Sequence, residues 1–384
     1  MTLTILFTTT HADTLGNACR LEMVEFLTQK FNSVILTDVY ELFRNKCPNN
    51  KVVEIKTEYQ YSLPLINDIK YWKQAAKIIN DEDSDIVFMF DDTSPITLWI
   101  NKPVFQYVHQ YGVRTSEVKN NLLKKSVVMI INRIKHHLYL SGLKKSKHVF
   151  VVSKPIVELL TKKGVHNVSQ VPHALNLNKF YSPEIVDFHL KLHQLKEQEN
   201  FIITYTGWVT ENRGFQLMMD TIRITTEKDD KIILVIAGAD SKFSEKIQNF
   251  AKINQIEKNI VNFGIIDMAL IPGILKFSDV CLSFLDPDVP AYKISPPQKV
   301  IEYFAAGKPV ICNQIETHNW IVENGKTGFI TQMNADEVSN AVIRLKEDTD
   351  LYQQMCVNAS LESNKYAIEK VYGNMVETMI KQYD

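Results

Sequence analysis

Lys299 and Glu302 stand three residues apart in the stretch Ile294-Ser-Pro-Pro-Gln-Lys-Val-Ile-Glu-Tyr-Phe-Ala-Ala-Gly-Lys-Pro-Val-Ile311. The two prolines open a helical pattern, and Gly307 and Pro309 close it before an apolar, strand-like run. Residues three apart share a helix face, so the ammonium and the carboxylate point the same way near the helix N-terminus. There the free N–H groups and the helix dipole favour an anion. An ammonium beside that end suits a phosphate, and a carboxylate one turn on suits a pair of hydroxyls. Together they match the polarity of a sugar nucleotide, a diphosphate with its ribose. The plainer alternative is a helix N-terminus carrying an ordinary surface lysine and glutamate.

A second constellation precedes it. Tyr205-Thr-Gly-Trp-Val-Thr-Glu-Asn-Arg-Gly-Phe215 follows an apolar run. Gly207 permits a tight turn there, and Arg213 and Gly214 open the next helical pattern. Backbone N–H groups at that point, with a guanidinium, make a cradle for a diphosphate. Two other stretches imitate known sites. Gly325-Lys-Thr327 ends like a phosphate-binding P-loop, but position 320 is Trp where that loop needs its first glycine. Asp286-Pro-Asp288 has the spacing of a metal-binding Asp-x-Asp pair, yet falls in a loop just ahead of the Lys299 helix. Asp91-Asp92 ends a strand-like run, either lining a cleft or capping a loop.

Positioning these groups falls to an alternation of strand-like and helix-like segments along the whole chain. Apolar, β-rich runs lie at 3–8, 33–36, 85–90, 103–109, 148–152 and 168–171, with helical patterns at 18–30, 68–80 and 156–163. The second half repeats the alternation. Its strands are expected at 201–206, 232–237, 260–263, 280–284, 309–313 and 328–330, and its helices at 214–225, 243–254, 269–277, 297–306 and 335–346. This pattern predicts an α/β protein of two Rossmann-like, doubly wound domains, each a parallel sheet covered on both faces, facing a central cleft. The expected division is a first domain over 1–181, a polar linker over 182–200, a second domain over 201–365, and a C-terminal helix over 366–384 packing back on the first. In such folds ligands sit at the carboxyl ends of the strands.

Composition narrows the classes. A chain of 384 residues suits two domains, and 45% hydrophobic with 23% charged residues is the balance of a globular protein. No apolar run is long enough to span a membrane, and the N-terminus reads as a strand, not a leader. Cys19, Cys47, Cys281, Cys312 and Cys356 are scattered without a Cys-x-x-Cys. That argues against a disulfide framework or zinc site and for a reducing, cytoplasmic compartment. A net charge of −1 argues against a nucleic acid partner. The charge is uneven, however. Between Arg114 and Lys147, nine Lys and Arg residues meet one acid, Glu117, while Leu122, Leu123, Val127, Val128, Ile130, Ile131, Ile134 and Leu138 recur at helical spacing. Such a segment either lies on an anionic membrane surface, at about 1 kcal/mol per basic residue, or is a core-facing helix with a solvated basic face.

The stretch at 294–311 resembles the donor-binding motif of the retaining glycosyltransferases of family four, which have the GT-B fold. In many members that motif reads Ser-Pro-x-Lys-x-x-Glu-Tyr-x-Ala-x-Gly-x-Pro-Val. Here the match runs through Pro297, Lys299, Glu302, Tyr303, Ala305, Gly307, Pro309 and Val310, with an extra proline at 296. The resemblance extends from about Ser153 to Gly328 and is weak before Asp85. A glycine after the strand and a basic residue followed by glycine contact the donor phosphates in relatives, and Gly207, Arg213 and Gly214 match them. Trp208 stands where many relatives have a second arginine. Val261-Asn-Phe-Gly-Ile-Ile-Asp267 is similar to the turn whose backbone, here after Gly264, meets the nucleobase, with Ile265 and Ile266 beside the base. Gln170-Val-Pro-His173 resembles the end of the first domain, with His173 in place of the usual asparagine. His109 matches a histidine near the transferred sugar. His11 and Asp13 fall in a loop that lines the acceptor site in GT-B enzymes, and Gly16 is placed to present backbone amides to the diphosphate. The pattern departs at Ile294, where family four commonly carries a further glutamate that touches the donor sugar.

The resemblance implies transfer of a hexose-type sugar from a nucleoside-diphosphate sugar, UDP- or GDP-linked, to a hydroxyl of a glycan, a lipid-linked glycan or a polysaccharide. Retention is implied, and no metal cofactor is required. His109, Arg213, Lys299 and Glu302 would take part in catalysis. Arg213 and Lys299 offset the charge of the departing diphosphate, Glu302 accepts from the ribose hydroxyls, and the backbone around Ser295, Pro296, Pro297 and Gln298 helps hold the phosphates. The cytoplasmic face of a membrane is the expected location if the basic segment meets lipid. Three alternatives stay open. One is an inverting transferase with His11 or Asp13 as base. The others are a nucleotide-sugar epimerase and a sugar-nucleotide-binding protein without turnover.

Overall fold

The computed structural model describes residues 1–8, 18–55, 64–109, 122–181 and 190–383. The chain forms two compact units, one of Met1–His173 with Glu369–Asp384, the other of Ala174–Ile368. The passage between them therefore falls at His173–Ala174, and the joint expected at 182–200 lies inside the second unit. The polar composition that suggested a linker belongs partly to a surface helix, Leu190–Glu197, which buries Leu192 in a cluster with Ile202, Ile233 and Val235. The return passage runs beside the outgoing one. Leu175 N–H donates to the Tyr366 carbonyl (2.9 Å) and its carbonyl accepts from Ile368 N–H (3.0 Å). The last helix, Ile368–Tyr383, sets Tyr372 edge-on against Phe26 of the first unit, with ring centroids 5.9 Å apart.

The first unit is built on β1 (Thr2–Phe7), β2 (Asn32–Thr37), β3 (Lys51–Glu54), β4 (Ile86–Phe90), β5 (Val104–Val108), β6 (His148–Val151) and β7 (Val168–Gln170). Their order in the sheet is β3-β2-β1-β4-β5-β6-β7, with every pairing parallel among the described residues. The second unit repeats the plan with β8 (Phe201–Thr206), β9 (Ile232–Ala237), β10 (Ile260–Asn262), β11 (Val280–Ser283), β12 (Val310–Asn313) and β13 (Gly328–Thr331), in the order β10-β9-β8-β11-β12-β13 and again parallel. Both are doubly wound, Rossmann-like sheets. Strands β4, β8 and β9 are buried along their whole length, which is why they read as unbroken apolar runs without alternation. Strand β3 escaped the sequence reading. It is four residues long at the sheet edge, and Lys51 and Glu54 leave only Val52 and Val53 as an apolar signal.

The strand order reverses between β1 and β4 in the first unit and between β8 and β11 in the second. At such a point neighbouring connections leave on opposite faces, and a crevice opens at the carboxyl ends. Gly207 follows β8 and Phe284 follows β11, so the second crevice opens beside the segments singled out from the sequence.

Candidate functional site

The helix Gln298–Ala305 starts after Pro296 and Pro297 and buries Val300, Ile301, Tyr303, Phe304 and Ala305. It is tied to the crevice through Tyr303. The hydroxyl of Tyr303 accepts from Thr206 N–H at the end of β8 (3.0 Å) and donates to the Leu282 carbonyl of β11 (3.3 Å). One phenol thus spans the two strands that flank the switch point.

On the same face, one turn earlier, stands Lys299. It is 8% exposed, and its Nζ lies 3.7 Å from the centroid of the fully buried Tyr205 ring. That is within cation–π range. Nζ has no hydrogen-bond partner among the described residues. An ammonium has three donors to satisfy, and burying one without an acceptor is costly. Burial, then the Arg213 charge, pulls the ammonium well below its ordinary pKa, and Glu302 works in the opposite direction. The backbone of Gly207 lies close by: a Cβ there would sit 3.4 Å from Nζ.

Arg213 ends a short 3-10 turn, Glu211–Arg213. Its Nε donates to the Tyr292 hydroxyl (3.3 Å), and the guanidinium also meets Tyr205. Tyr205 therefore stands between two cations, Lys299 on its face and Arg213 at its hydroxyl, and its own hydroxyl donates to the Trp208 carbonyl (2.8 Å). Desolvation pushes this phenol above its usual pKa. Tyr292 is itself held, since Thr317 donates to its carbonyl at 2.7 Å. Glu302 is half-buried and accepts from Gln298 Nε2 (3.2 Å). Arg213 passes into the next helix through Gly214, whose φ is 75°; a Cβ there would lie 2.5 Å from Phe284 Cβ, so only glycine lets the two sides of the switch point close up.

The floor consists of three strand ends, each followed at once or nearly so by glycine: Gly207 after β8, Gly238 after β9 and Gly264 after β10. Gly238 N–H donates to the Gly264 carbonyl (2.7 Å), and Val209 N–H donates to the Gly238 carbonyl (3.3 Å). Gly238 has φ 122°, and a Cβ on it would meet the Gly207 carbonyl oxygen at 2.1 Å. Sequence reasoning missed Gly238 and Tyr205. The signals were a glycine directly after the apolar run 232–237 and an aromatic one residue before a strand's end.

The structure thus brings Lys299, Glu302, Gln298, Arg213, Gly207 and Gly214 to one switch point. Ser295 is spent locally, its N–H donating to the Ala291 carbonyl (3.1 Å). Pro296 and Pro297 have no N–H to offer. Gln298 and Lys299, the first two helical residues, are the ones whose amides face out of the helix end. Past Gly264, Ile265 is 54% exposed while Ile266 packs against the Ile202 cluster, so the two neighbours differ in what they can offer a ring. Asp286 and Asp288 form a local turn, Asp286 Oδ1 accepting from Asp288 N–H (2.9 Å). Lys326 pairs with Glu323 (2.9 Å).

His109 and His173 belong to the first unit, their rings 4.9 Å apart and tilted by 53°. His173 is buried, at 1% exposed. Desolvation, then the charge of Arg20, holds the His109 imidazole down to about 4. His11, Asp13 and Gly16 lie outside the described residues.

Residues 189–361 match the family described as glycosyl transferases group 1. Over 185 residues the chain is 26% identical to the Escherichia coli UDP-Gal:alpha-D-GlcNAc-diphosphoundecaprenol alpha-1,3-galactosyltransferase, covering 47% of this chain and 46% of that protein. It is 22% identical over 173 residues to the chitobiosyldiphosphodolichol beta-mannosyltransferase of Candida albicans, 44% and 37% of the two chains. The chain thus spans less than half the length of these curated relatives. Among solved structures, Anabaena HepE in complex with UDP superposes with a TM-score of 0.75 over 99% of this chain and 100% of that one, at 12% identity. That likeness is one of fold.

Proposed function

We propose that this chain, whose residues 189–361 match the glycosyl transferases group 1 family, transfers a hexose-type sugar from a nucleoside-diphosphate sugar to a hydroxyl of a lipid-linked glycan. The observation that carries this reading is the buried Lys299 ammonium, which has no acceptor among the described residues and shares Tyr205 with Arg213. Two buried or half-buried cations at a helix N-terminus and a glycine-lined switch point call for a polyanion. A diphosphate supplies it. The lipid-linked acceptor is suggested by the names of the Escherichia coli and Candida albicans relatives, and a UDP donor by the HepE complex.

In this reading the bond from the anomeric carbon to the diphosphate oxygen breaks, and negative charge grows on the leaving group. Lys299 and Arg213 are already fixed where that charge develops, so no reorganisation is required during the step. Glu302 accepts from the ribose hydroxyls. Transfer proceeds with retention, the leaving phosphate taking the acceptor proton on the same face, and without a metal. The reading is tested by a thermal-shift screen with UDP, GDP, ADP and their sugars. It expects stabilisation by UDP or GDP species that is lost in Lys299→Met, and the absence of any shift would overturn it.

A pH signature follows from the buried ammonium. An arriving diphosphate raises the Lys299 pKa that burial had lowered. At a pH between the free and the bound value, binding takes up a proton, and affinity falls as pH rises through that window. Calorimetry of UDP binding in buffers of different protonation enthalpy should show the uptake, and Lys299→Met should lack it. Buffer-independent heats for the unaltered protein would contradict the assignment.

The partner surface is the finer part of the proposal. The helix Leu122–Lys145 packs its second half, with Tyr139, Gly142 and Leu143 buried, beside the 3-10 segment Asp91–Trp99. Its first half leaves Val127, Met129, Ile130 and Ile134 exposed, at 56%, 54%, 55% and 40%. The core-facing alternative thus accounts for only half of the helix. An apolar stripe flanked by Arg133 and continuing to exposed Lys144 and Lys147 suits the anionic interface where a lipid-linked acceptor resides. No helix among the described residues is long and apolar enough to cross a membrane. Val127, Ile130 and Ile134 changed together to Ser should lower co-sedimentation with phosphatidylglycerol vesicles by at least about fivefold. Unchanged sedimentation would remove the surface from the proposal.

A further inference from the structure

At the first unit's own switch point, β4 is followed directly by Asp91, a non-glycine residue in the left-handed region with φ 35°. Such backbone persists only where the surroundings over-determine it, and it gathers at functional sites. The Asp91 carboxylate, 13% exposed, binds two different elements. Its Oδ1 accepts from His109 N–H at 2.6 Å, directly after β5, and its Oδ2 pairs with Arg20 Nη1 at 2.8 Å, in the first turn of the helix Ala18–Lys30. The plain explanation, a helix cap, does not fit, because Asp91 is the first residue of the 3-10 segment Asp91–Trp99 and Phe90 holds the cap position. That segment has no side-chain cap, and its Phe90 carbonyl is met by the Thr93 hydroxyl at 2.7 Å.

We propose that Asp91 is a positioning residue for sugar transfer, holding the His109 backbone and the Arg20 guanidinium together so that the His109–His173 imidazole pair keeps its place at the carboxyl edge of the sheet. The carboxylate does so from the centre of the arrangement, linking β4, β5 and the first helix across the point where the strand order reverses. Neutralising it removes the Asp91 charge from beside the Arg20 cation and the imidazole, with little change of side-chain shape. The inference rests on the transferase reading, and its consequences fall on the first unit while the diphosphate cradle lies in the second.

The test compares the unaltered protein with Asp91→Asn and Arg20→Gln, measuring UDP release from UDP-galactose and UDP-glucose with α-D-GlcNAc-diphosphoundecaprenol as acceptor. Each variant should lose at least about 30-fold in kcat, with the donor KM and the UDP dissociation constant within twofold of the starting values. The double variant should be little worse than either single one, as expected of groups that act as a unit. A merely structural role would lower the Tm and the folded fraction and leave kcat per folded molecule within threefold, and that result overturns the inference. Should Asp91→Asn fail to fold, Arg20→Lys preserves the carboxylate and its bond to His109 and is read by the same split. An unaltered protein that neither binds UDP nor transfers would instead sink the transferase reading, and this inference with it.

Discussion

Lys299→Met is expected to lower kcat/KM by about 30- to 900-fold, a loss of roughly 2–4 kcal/mol of transition-state stabilisation, while raising the Tm of the ligand-free protein. The two effects have one cause. The ammonium is buried with no acceptor among the described residues, so before ligand arrives it costs stability. The sign follows from its titration. A lysine pKa lowered by folding means that the unfolded chain binds the extra proton, so the ligand-free protein gains stability as pH rises from the folded pKa toward the ordinary lysine value. Methionine keeps the apolar stem, removes the charge, and still lies against the Tyr205 ring. Arg213→Ala should cost transfer by a similar factor without the gain in Tm, because the guanidinium is half-buried and already has the Tyr292 hydroxyl as a partner. Kinetics within twofold of the unaltered protein in both variants would contradict the diphosphate assignment.

Gly238→Ala is expected to destabilise the second unit by roughly 3–4 kcal/mol and to abolish the thermal shift given by UDP. At φ 122° an L side chain is strained in any surroundings, and here the new Cβ would collide with the Gly207 carbonyl oxygen at 2.1 Å. Relief requires β9 to part from the β8 turn, which carries Gly207 past Lys299 and passes through Trp208 and Val209 toward Arg213. Gly325→Ala is the matching control. Its φ is also left-handed, at 80°, but a Cβ there meets nothing within 4 Å, so only the conformational penalty of about 1 kcal/mol applies. Urea denaturation separates them. Equal losses at the two positions would show that the close approach to Gly207 costs nothing.

Much of this architecture is legible along the chain. Strands β8, β9 and β11 are apolar over nearly their whole length because a parallel sheet covered on both faces has no polar side. The helix Gln298–Ala305 announces itself through two prolines before it and Gly307 after it. The joint between units was misplaced because polarity marks the surface, and a surface helix such as Leu190–Glu197 is as polar as a linker. Strand β3 was missed because half of its four residues are charged.

By itself the sequence determined the α/β alternation, the doubling of the chain into two sheets, and the placing of Lys299 and Glu302 three residues apart on one helix, since each follows from spacing along the chain. Tertiary structure alone decided that Tyr205 lies between Lys299 and Arg213, that Gly238 must be glycine, and that Asp91 joins His109 to Arg20. Those relations link residues far apart in the chain, and they exist only because β8, β9 and β11, or β4 and β5, come to lie side by side. Periodicity records which face of an element is buried; which neighbour that face meets is settled by the order of strands in the folded sheet.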